Sequence, residues 1–472
     1  MLIRVFKHYI PLAYAVLIVL EAGVLFSSLF LAETLINYLR VSTVPTGAGL
    51  DWIKALFFTV TMTGSLSTMG IYRRLVRIHK RIDLLLRIFL GLSLGVLILS
   101  IFFYFYPALF IGRAVIAVTA AISFVGIVVL RVIFIRLSDN EILKRRILVI
   151  GAGKAASQLE ELRRRGDRYG FDLIGYVHVF GEHNIVDDKK IIVPDKPLVE
   201  LVKEYEIDEI VVAVNDRRKS FPVDEILECK MEGIDVIDLI AFFERQTGKI
   251  KLDALHPSSL IFSDGFDKII QANVSKRIFD LIASLTILVI SSPILLLAIA
   301  SILVESGIKG KVFYLQERVG LDGKIFKVIK LRTMREDAEA DGKARWSGPD
   351  DNRLTKNGRI LRHFRIDEIP QLINVLRGDM TLVGPRPERP QFVEQLAQII
   401  PFYNMRHRVK PGVTGWAQIS YPYGSSEHDA IQKLQYDLFY MKNYSILFDL
   451  IILLQTAATV IFGDTSRRKA PR

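Results

Sequence analysis

Leu281-Ile282-Ala283-Ser284-Leu285-Thr286-Ile287-Leu288-Val289-Ile290-Ser291-Ser292-Pro293-Ile294-Leu295-Leu296-Leu297-Ala298-Ile299-Ala300-Ser301-Ile302-Leu303-Val304 is a run of 24 residues without a charge. As an α-helix it is long enough to cross the ~30 Å hydrocarbon of a bilayer. A crossing would carry everything after it to the far side. At its middle, however, Ser291-Ser292-Pro293 interrupts the pattern. Proline removes one backbone donor, and its ring clashes with the carbonyl four residues back. A neighbouring serine can satisfy the freed carbonyl, so a helix that breaks and returns to the face it entered by fits as well as a kinked span. Both readings stand until the chemistry downstream is located.

Upstream, four more apolar segments occupy the first 135 residues: Tyr9–Ala32, Ala55–Tyr72, Ile88–Tyr106 and Ala114–Leu130. Each approaches the ~20 residues of a spanning helix. The first is too long for a secretory signal and lacks a small-residue cleavage site. It carries one acid, Glu21, which could snorkel, face the bundle or mark a subunit contact. Arg73, Arg74, Arg77, Lys80, Arg81 and Arg87 lie between the second and third segments, against Arg40 alone between the first and second. The positive-inside rule puts that basic loop in the cytoplasm, and Arg4, Lys7, Lys144, Arg145 and Arg146 agree. The composition fits a membrane protein with polar parts. Of 472 residues, 51% are hydrophobic, and 62 Lys+Arg against 50 Asp+Glu leave a net charge of +12. This excludes disordered and collagen-like chains. The single cysteine, Cys229, excludes an internal disulfide and a zinc site of several thiolates.

From about Arg146 short β-rich runs alternate with charged helical stretches. Strands are expected at Ile147–Ile150, Asp172–Val179 and Glu209–Val214, and helices from Ala155 to about Arg165, over Leu198–Tyr205 and over Val223–Glu232. Such alternation implies a parallel α/β domain. Gly151-Ala152-Gly153-Lys154-Ala155-Ala156 after the first strand is similar to a dinucleotide-binding turn. The acid expected about 20 residues later is missing, since Arg163, Arg164 and Arg165 fill that neighbourhood and Glu182 comes late. A Rossmann-like turn that needs small residues without holding a cofactor is the simpler reading.

Beyond the apolar run, Arg359-Ile360-Leu361-Arg362-His363-Phe364-Arg365-Ile366-Asp367-Glu368-Ile369-Pro370-Gln371 is the most informative stretch. A helix would line up Arg359, Arg362 and Arg365 on one side. Pro370 belongs in the first turn of a new helix, which puts Asp367 near a helix N-terminus that attracts phosphate. Adjacent carboxylates with converging arginines could hold Mg²⁺ and a diphosphate together, although most adjacent acid pairs are simply solvated.

These residues belong to an ordered series. Lys276-Arg277-Ile278-Phe279-Asp280, Ser292-Pro293, Gln316-Glu317-Arg318-Val319-Gly320 and Lys330-Leu331-Arg332-Thr333-Met334 come first. Asp367-Glu368-Ile369-Pro370-Gln371 with Asn374, Gly378-Asp379-Met380, Val383-Gly384-Pro385-Arg386-Pro387-Glu388 and Lys410-Pro411-Gly412-Val413-Thr414-Gly415-Trp416-Ala417-Gln418 follow. From about Val274 to Gly463 the chain resembles the bacterial sugar transferases, the polyprenyl-phosphate hexose-1-phosphate transferases that start exopolysaccharide and O-antigen units. With its bundle and α/β domain it resembles their longer, monotopic phosphoglycosyl transferase members.

The resemblance implies two phosphoryl transfers. Asp367 matches the nucleophile that attacks the β-phosphate of a UDP-sugar and releases UMP, and polyprenyl phosphate then takes the sugar phosphate from the acyl phosphate. Glu368 matches the Mg²⁺ ligand, and Arg362 and Arg386 match phosphate-holding positions. Lys330 and Arg332 either touch substrate or lie against anionic headgroups. Ser292 and Pro293 match the break of a re-entrant helix, about 276–306. Cytoplasmic UDP-sugars then favour the re-entrant reading. Trp416 reads as an interfacial anchor or a substrate contact, with the anchor the simpler of the two. Ile446–Phe462 reads as an interfacial helix, with Arg467, Arg468 and Lys469 against anionic lipid.

The expected architecture is a four-helix transmembrane bundle (1–140), a Rossmann-like α/β domain (141–262) and an α-rich catalytic domain (270–466). It sits in the bacterial inner membrane with both polar domains on the cytoplasmic face. The expected partners are a UDP-sugar, polyprenyl (undecaprenyl) phosphate and the bilayer, with no nucleic acid; homodimerisation stays open. One departure bears on the sugar. Many members carry Asn-Gly and a nearby arginine after Trp-Ala-Gln, whereas this chain has Ile419-Ser420-Tyr421-Pro422-Tyr423-Gly424, a version similar to members from exosortase-type exopolysaccharide loci. Two alternatives remain: a nucleotide-sugar oxidoreductase or dehydratase using the Gly151 turn, and a non-catalytic assembly scaffold.

Overall fold

A computed structural model describes residues 2–5, 8–39, 52–69, 81–138, 144–162, 171–180, 182–214, 221–252, 273–307, 310–335, 338, 353–421, 424 and 426–462. The chain forms two compact units, Met1–Thr247 and Gly248–Arg472. The domain boundaries expected at 140/141, 262, 270 and 466 lie outside the described residues, as do Arg73, Arg74, Arg77, Lys80, Arg163 to Arg165 and the terminal basic cluster.

The first unit opens with a short antiparallel hairpin, β1 (Leu2–Val5) and β2 (His8–Pro11), followed by α1 (Leu12–Leu39), α2 (Trp52–Thr68), α3 (Arg81–Phe105) and α4 (Arg113–Ser138). The first helix therefore begins three residues after Tyr9 and runs on past Ala32, because Pro11 can precede a helix but not sit inside one. Leu25, Leu29, Phe58, Met62, Ile88, Leu99 and Ile127 form the shared core. Glu21 faces that bundle. It is fully buried and pairs with Arg131 of α4, Nε at 2.5 Å and Nη2 at 3.0 Å. Two turns on, the buried Ser28 and Ser123 hydroxyls bond at 2.7 Å. Polar groups in an apolar bundle need one another, so these contacts fix which faces of α1 and α4 meet.

The α/β part carries β3 (Arg145–Ile150), β4 (Phe171–Val177), β5 (Ile191–Ile192), β6 (Glu209–Val212) and β7 (Asp235–Asp238) in the all-parallel order β5-β4-β3-β6-β7. Between them run α5 (Lys154–Ser157), α6 (Leu198–Glu204) and α7 (Val223–Met231), and α8 (Leu239–Thr247) follows β7. Ile147 and Val149 point to one buried layer, Leu148 and Ile150 to the other, which is why β3 reads as a continuous apolar run. The order is doubly wound, and the Gly151 turn lies at its switch point. Gly151 has φ +111°, and a Cβ there would meet Ala213 O at 2.7 Å. Glu182, from just past β4, fills the other side: its carboxylate accepts Ala152 N–H at 3.3 Å, and a Cβ on Gly153 would land 2.5 Å from its Oε1.

The second unit begins with α9 (Asn273–Ser306), continues through the antiparallel hairpin β8 (Phe313–Val319) and β9 (Ile325–Leu331), and then α10 (Lys356–His363) and α11 (Gln371–Arg377). The short parallel pair β10 (Thr381–Val383) and β11 (Gly412–Thr414) brackets α12 (Pro390–Ile399). Helices α13 (Trp416–Ser420), α14 (Glu427–Lys442) and α15 (Ile446–Phe462) complete it. The break expected at Ser292-Pro293 is not a break. Residues Asn273 to Ser306 form one α-helix with Pro293 inside it. The compensation is local: Pro293 cannot donate to Val289 O, and Ser292 Oγ does so instead at 2.8 Å. Both ends of α9 pack on the same unit. Asp280 accepts from Thr381 Oγ1 (2.6 Å) and Leu382 N–H (3.2 Å), while Asn357 Nδ2 donates to Ser301 O (3.0 Å) and Ile302 packs with Leu331 and Leu361. Ile282, Leu285, Val289, Ile290, Leu296 and Leu297 between them are exposed.

Trp416 is a packing residue rather than an interfacial anchor. Its indole N–H donates to Gly248 O at 2.8 Å, and its ring lies 5.0 Å from Phe448 and 6.1 Å from Phe439. Residues 248–252 thus belong with the second unit, where Ile250 N–H also donates to Gln435 O. In α15, Asp449 is buried and pairs with Lys276 Nζ at 2.6 Å, tying that helix to the start of α9.

Candidate active site

The site grows from the turn after α10. Thr355 caps this helix through Gly358 N–H at 2.9 Å, and the helix ends at His363. Arg365 then takes a left-handed conformation, φ 56°, so the chain reverses into the tight turn Ile366–Glu368 and only Arg359 and Arg362 stay on the helix. Arg365 leaves the expected line of three and returns to Glu368, Nε to Oε2 at 3.9 Å. Ile369 and Pro370 lead into α11, with Pro370 just before its first residue, as expected from its fixed φ. Asn374 of this helix accepts from Ile329 N–H (3.0 Å) and donates to Lys327 O (2.8 Å), which fastens β9 beside the acidic turn.

Asp367 and Glu368 are 7% and 8% exposed. Around Glu368 stand Arg386 Nη2 at 2.7 Å and Lys330 Nζ at 3.6 Å, both on Oε1. Arg386 Nη1 also donates to Gln418 at 2.8 Å, and Arg362 Nε donates to Thr333 Oγ1 at 3.0 Å. The two acids are driven apart. Burial pushes the Asp367 carboxyl up to about 6, with the adjacent Glu368 charge adding to it and Lys330, Arg362 and Arg386 opposing. Burial acts on Glu368 in the same direction, yet Arg386, Arg365 and Lys330 outweigh it and hold this carboxyl well below the usual range. Lys330 is lowered to about 8, because burial outweighs the pull of Glu368. Such a split assigns the permanent charge to Glu368 and the adjustable one to Asp367.

The structure therefore brings Lys330, Arg362 and Arg386 to the Asp367–Glu368 pair. Lys330 faces the acids instead of a headgroup surface. The contacts described around the pair do not include Arg332, whose backbone N–H donates to Val312 O at the end of β9. Ser292 and Pro293 stay within α9. Among the described residues no group of three or more His, Cys, Asp or Glu side chains could hold a metal ion. The donors fit Mg²⁺ only as one carboxylate beside substrate phosphates, because Oε1 of Glu368 is taken by Arg386 at 2.7 Å while Oε2 lies 3.9 Å from Arg365 Nε.

Arg386 itself rides on Val383-Gly384-Pro385-Arg386-Pro387-Glu388, whose carbonyls from Pro385 to Glu388 are all engaged. Pro385 O accepts from Gly412 N–H (2.9 Å), Arg386 O from Arg406 Nη2 (3.0 Å), Pro387 O from Arg318 Nη1 (3.0 Å) and Glu388 O from Val319 N–H (3.0 Å). Gly384 and Gly412 are required here by close approach, since a Cβ on Gly384 would lie 2.5 Å from Lys410 O. Arg406, Tyr403 and Asp437 were not legible as part of this arrangement. A buried arginine meeting an acid 31 residues away leaves no local pattern.

Known protein families match two regions of the chain. Residues 271–463 match the family model described as bacterial sugar transferase, and residues 67–228 match one described as CoA-binding domain. The chain is 37% identical over 242 residues to a UDP-N-acetylgalactosamine-undecaprenyl-phosphate N-acetylgalactosaminephosphotransferase of Aeromonas hydrophila, a match covering 51% of this chain and 56% of that protein. It is 33% identical over 320 residues to a UDP-glucose:undecaprenyl-phosphate glucose-1-phosphate transferase of Klebsiella pneumoniae, covering 66% and 67%. It is 41% identical over 195 residues to the uncharacterized sugar transferase EpsL of Bacillus subtilis, covering 40% of this chain and 89% of the relative. Because the Bacillus subtilis and Klebsiella pneumoniae relatives are 41% and 33% identical over 89% and 67% of their own lengths, and residues 271–463 contain the whole acidic turn and its cations, this chain belongs to the bacterial sugar transferase family.

Proposed function

We propose that the chain is a membrane phosphoglycosyl transferase that moves a hexose 1-phosphate from a UDP-sugar to polyprenyl phosphate and releases UMP. The observation that carries the reading is the buried acid pair itself: Asp367 stands beside Glu368, Arg386 and Lys330 lie 2.7 and 3.6 Å from Glu368, and burial raises the Asp367 carboxyl while these cations hold Glu368 ionised. The Asp367 carboxylate attacks the β-phosphorus of the UDP-sugar, an O–P bond forms, the diphosphate P–O bond breaks, and UMP departs. An oxygen of polyprenyl phosphate then attacks the same phosphorus and frees Asp367. A covalent carboxylate splits one difficult displacement into two easier ones. Arg362, Arg386 and Lys330 face the negative charge that builds on the transferred phosphoryl group. Bound Mg²⁺, held by Glu368, would neutralise charge on the diphosphate.

The positive loops of the bundle favour a cytoplasmic site in a bacterial inner membrane, where UDP-sugars are found. A re-entrant placement of α9, which needs a bend rather than a break at Ser292-Pro293, is favoured by its two ends packing on one polar unit while its apolar middle is bare. A role at the first step of exopolysaccharide or O-antigen synthesis follows from the product. Glu182 weighs against the oxidoreductase alternative, since a carboxylate in the Gly151 turn repels a pyrophosphate.

The test incubates membranes carrying the protein or Asp367→Asn with polyprenyl phosphate, Mg²⁺ and either UDP-glucose or UDP-N-acetylgalactosamine. Activity is expected only with the unmodified protein, together with a lipid-linked sugar. Equal UMP release from both proteins would overturn the nucleophile.

A further inference from the structure

Arg406 lies in the turn Tyr403–Arg408 and is 5% exposed, yet it touches neither acid of the site. Its guanidinium is shared three ways. Nη1 donates to Tyr403 Oη at 2.8 Å, Nη2 meets Asp437 Oδ2 of α14 at 2.9 Å, and Nη2 also donates to the backbone carbonyl of Arg386 at 3.0 Å. The Tyr403 ring lies 5.2 Å from the guanidinium carbon. Asp437 is 2% and Tyr403 is 2% exposed, so the whole cluster is dry. A buried pair of this kind is seldom a source of net stability, because desolvation offsets the attraction. It is, however, rigid. The loop it holds has prolines at 385 and 387, which contribute no N–H, so its conformation depends on what its carbonyls accept. At the other end of the same residue, the Arg386 side chain joins Glu368 and Gln418.

We propose that Arg406, held by Asp437 and Tyr403, is a positioning residue that fixes the backbone of Arg386 and thereby aims its guanidinium at Glu368 and the substrate phosphate. The chain of command runs from α14 through Arg406 to the Arg386 carbonyl, and from the Arg386 side chain into the site. Lysine at 406 keeps the charge but offers one nitrogen in place of a planar fork, so it cannot serve Asp437, Tyr403 and the carbonyl in one geometry. Residues that orient a site-forming group commonly matter by 10- to 100-fold.

This rests on the transferase reading, and the experiment separates the two. In full-length protein in membranes, UMP release is measured against UDP-glucose and UDP-N-acetylgalactosamine for the unmodified protein, Asp367→Asn, Arg406→Lys, Arg386→Lys and the Arg406→Lys/Arg386→Lys double variant, with UDP affinity as a second readout. Failure of the transferase reading appears as activity indifferent to Asp367→Asn. Given Asp367-dependent activity, Arg406→Lys is expected to lower kcat/KM by about 10- to 100-fold alone, and by less than about 3-fold once Arg386 is lysine, because its route into the site is already lost. The same non-additivity is expected in UDP affinity. Equal losses in both backgrounds would mean a general packing role, and no loss alone would also overturn the proposal. Should Arg406→Lys fail to accumulate, Tyr403→Phe removes a single hydroxyl from the same guanidinium and goes through the same cycle with the same two readings.

Discussion

Asp367 is costly to the folded protein in the form its proposed chemistry uses. Its carboxyl is raised from the usual value of 3.8 to about 6 by burial and by Glu368. The sign is that of a raised acid: the protonated form is favoured in the folded state, so stability is fully present below pH 3.8 and declines as pH climbs through 6. In buffer without divalent metal, Asp367→Asn should therefore unfold at higher denaturant than the parent at pH 7.5, by at most about 2 to 3 kcal/mol, and the difference should vanish near pH 4. A constant difference across that range would contradict the shift. For activity the direction is opposite. Rates limited by Asp367 attack should fall as pH drops through about 6, and saturating Mg²⁺ should move that midpoint lower by favouring the ionised pair. Of the site residues, Asp367, Glu368, Arg362 and Arg386 were readable because they stand in short motifs. The position of Lys330 needed the structure: its place on β9 opposite Glu368 depends on Asn374 binding the strand to α11.

Helices and their pairings decide the next level. Four apolar helices were readable from run length alone, but the partner of Glu21 was not, since Arg131 lies 110 residues away in sequence. Removing one member leaves an uncompensated buried charge. Arg131→Met should lower the resistance of the bundle to denaturant by about 3 to 5 kcal/mol, whereas Glu21→Leu with Arg131→Met should recover most of it. If the double variant is no more stable than the single one, the pair is not the reason for the burial. In α9 the residue pattern announced a break and the structure has a continuous helix, because Ser292 Oγ takes over the bond to Val289 O that Pro293 cannot make. With Cys229 replaced by serine, Lys311→Cys is expected to react only with a cytoplasmic thiol reagent. Labelling from the outer face alone would show that α9 crosses.

At the scale of the molecule, every site residue lies in the second unit, which has its own core of Val328, Val375, Met380, Val383, Leu438 and Ile452. A chain of residues 248–472 should therefore insert into membranes and retain Asp367-dependent UMP release, and it should outlast one beginning at 273, which loses Ile250 and the Gly248 carbonyl that binds Trp416. An inactive, well-inserted 248–472 would place part of the function in the first unit. Local pattern was enough for the presence of four apolar helices, the alternation of the α/β region and the acidic turn, because each depends on neighbours within a few residues. The sequence by itself determined which residues carry charge, which runs are apolar enough for lipid, and that Asp367 and Glu368 stand side by side among arginines. Only the tertiary structure decided that Glu21 has a partner, that Glu182 fills the Gly151 turn, that Arg365 folds back on Glu368, and that Arg406 and Asp437 hold Arg386. The reason is physical: burial and ion pairing act through space, and they join groups that no periodicity connects along the chain.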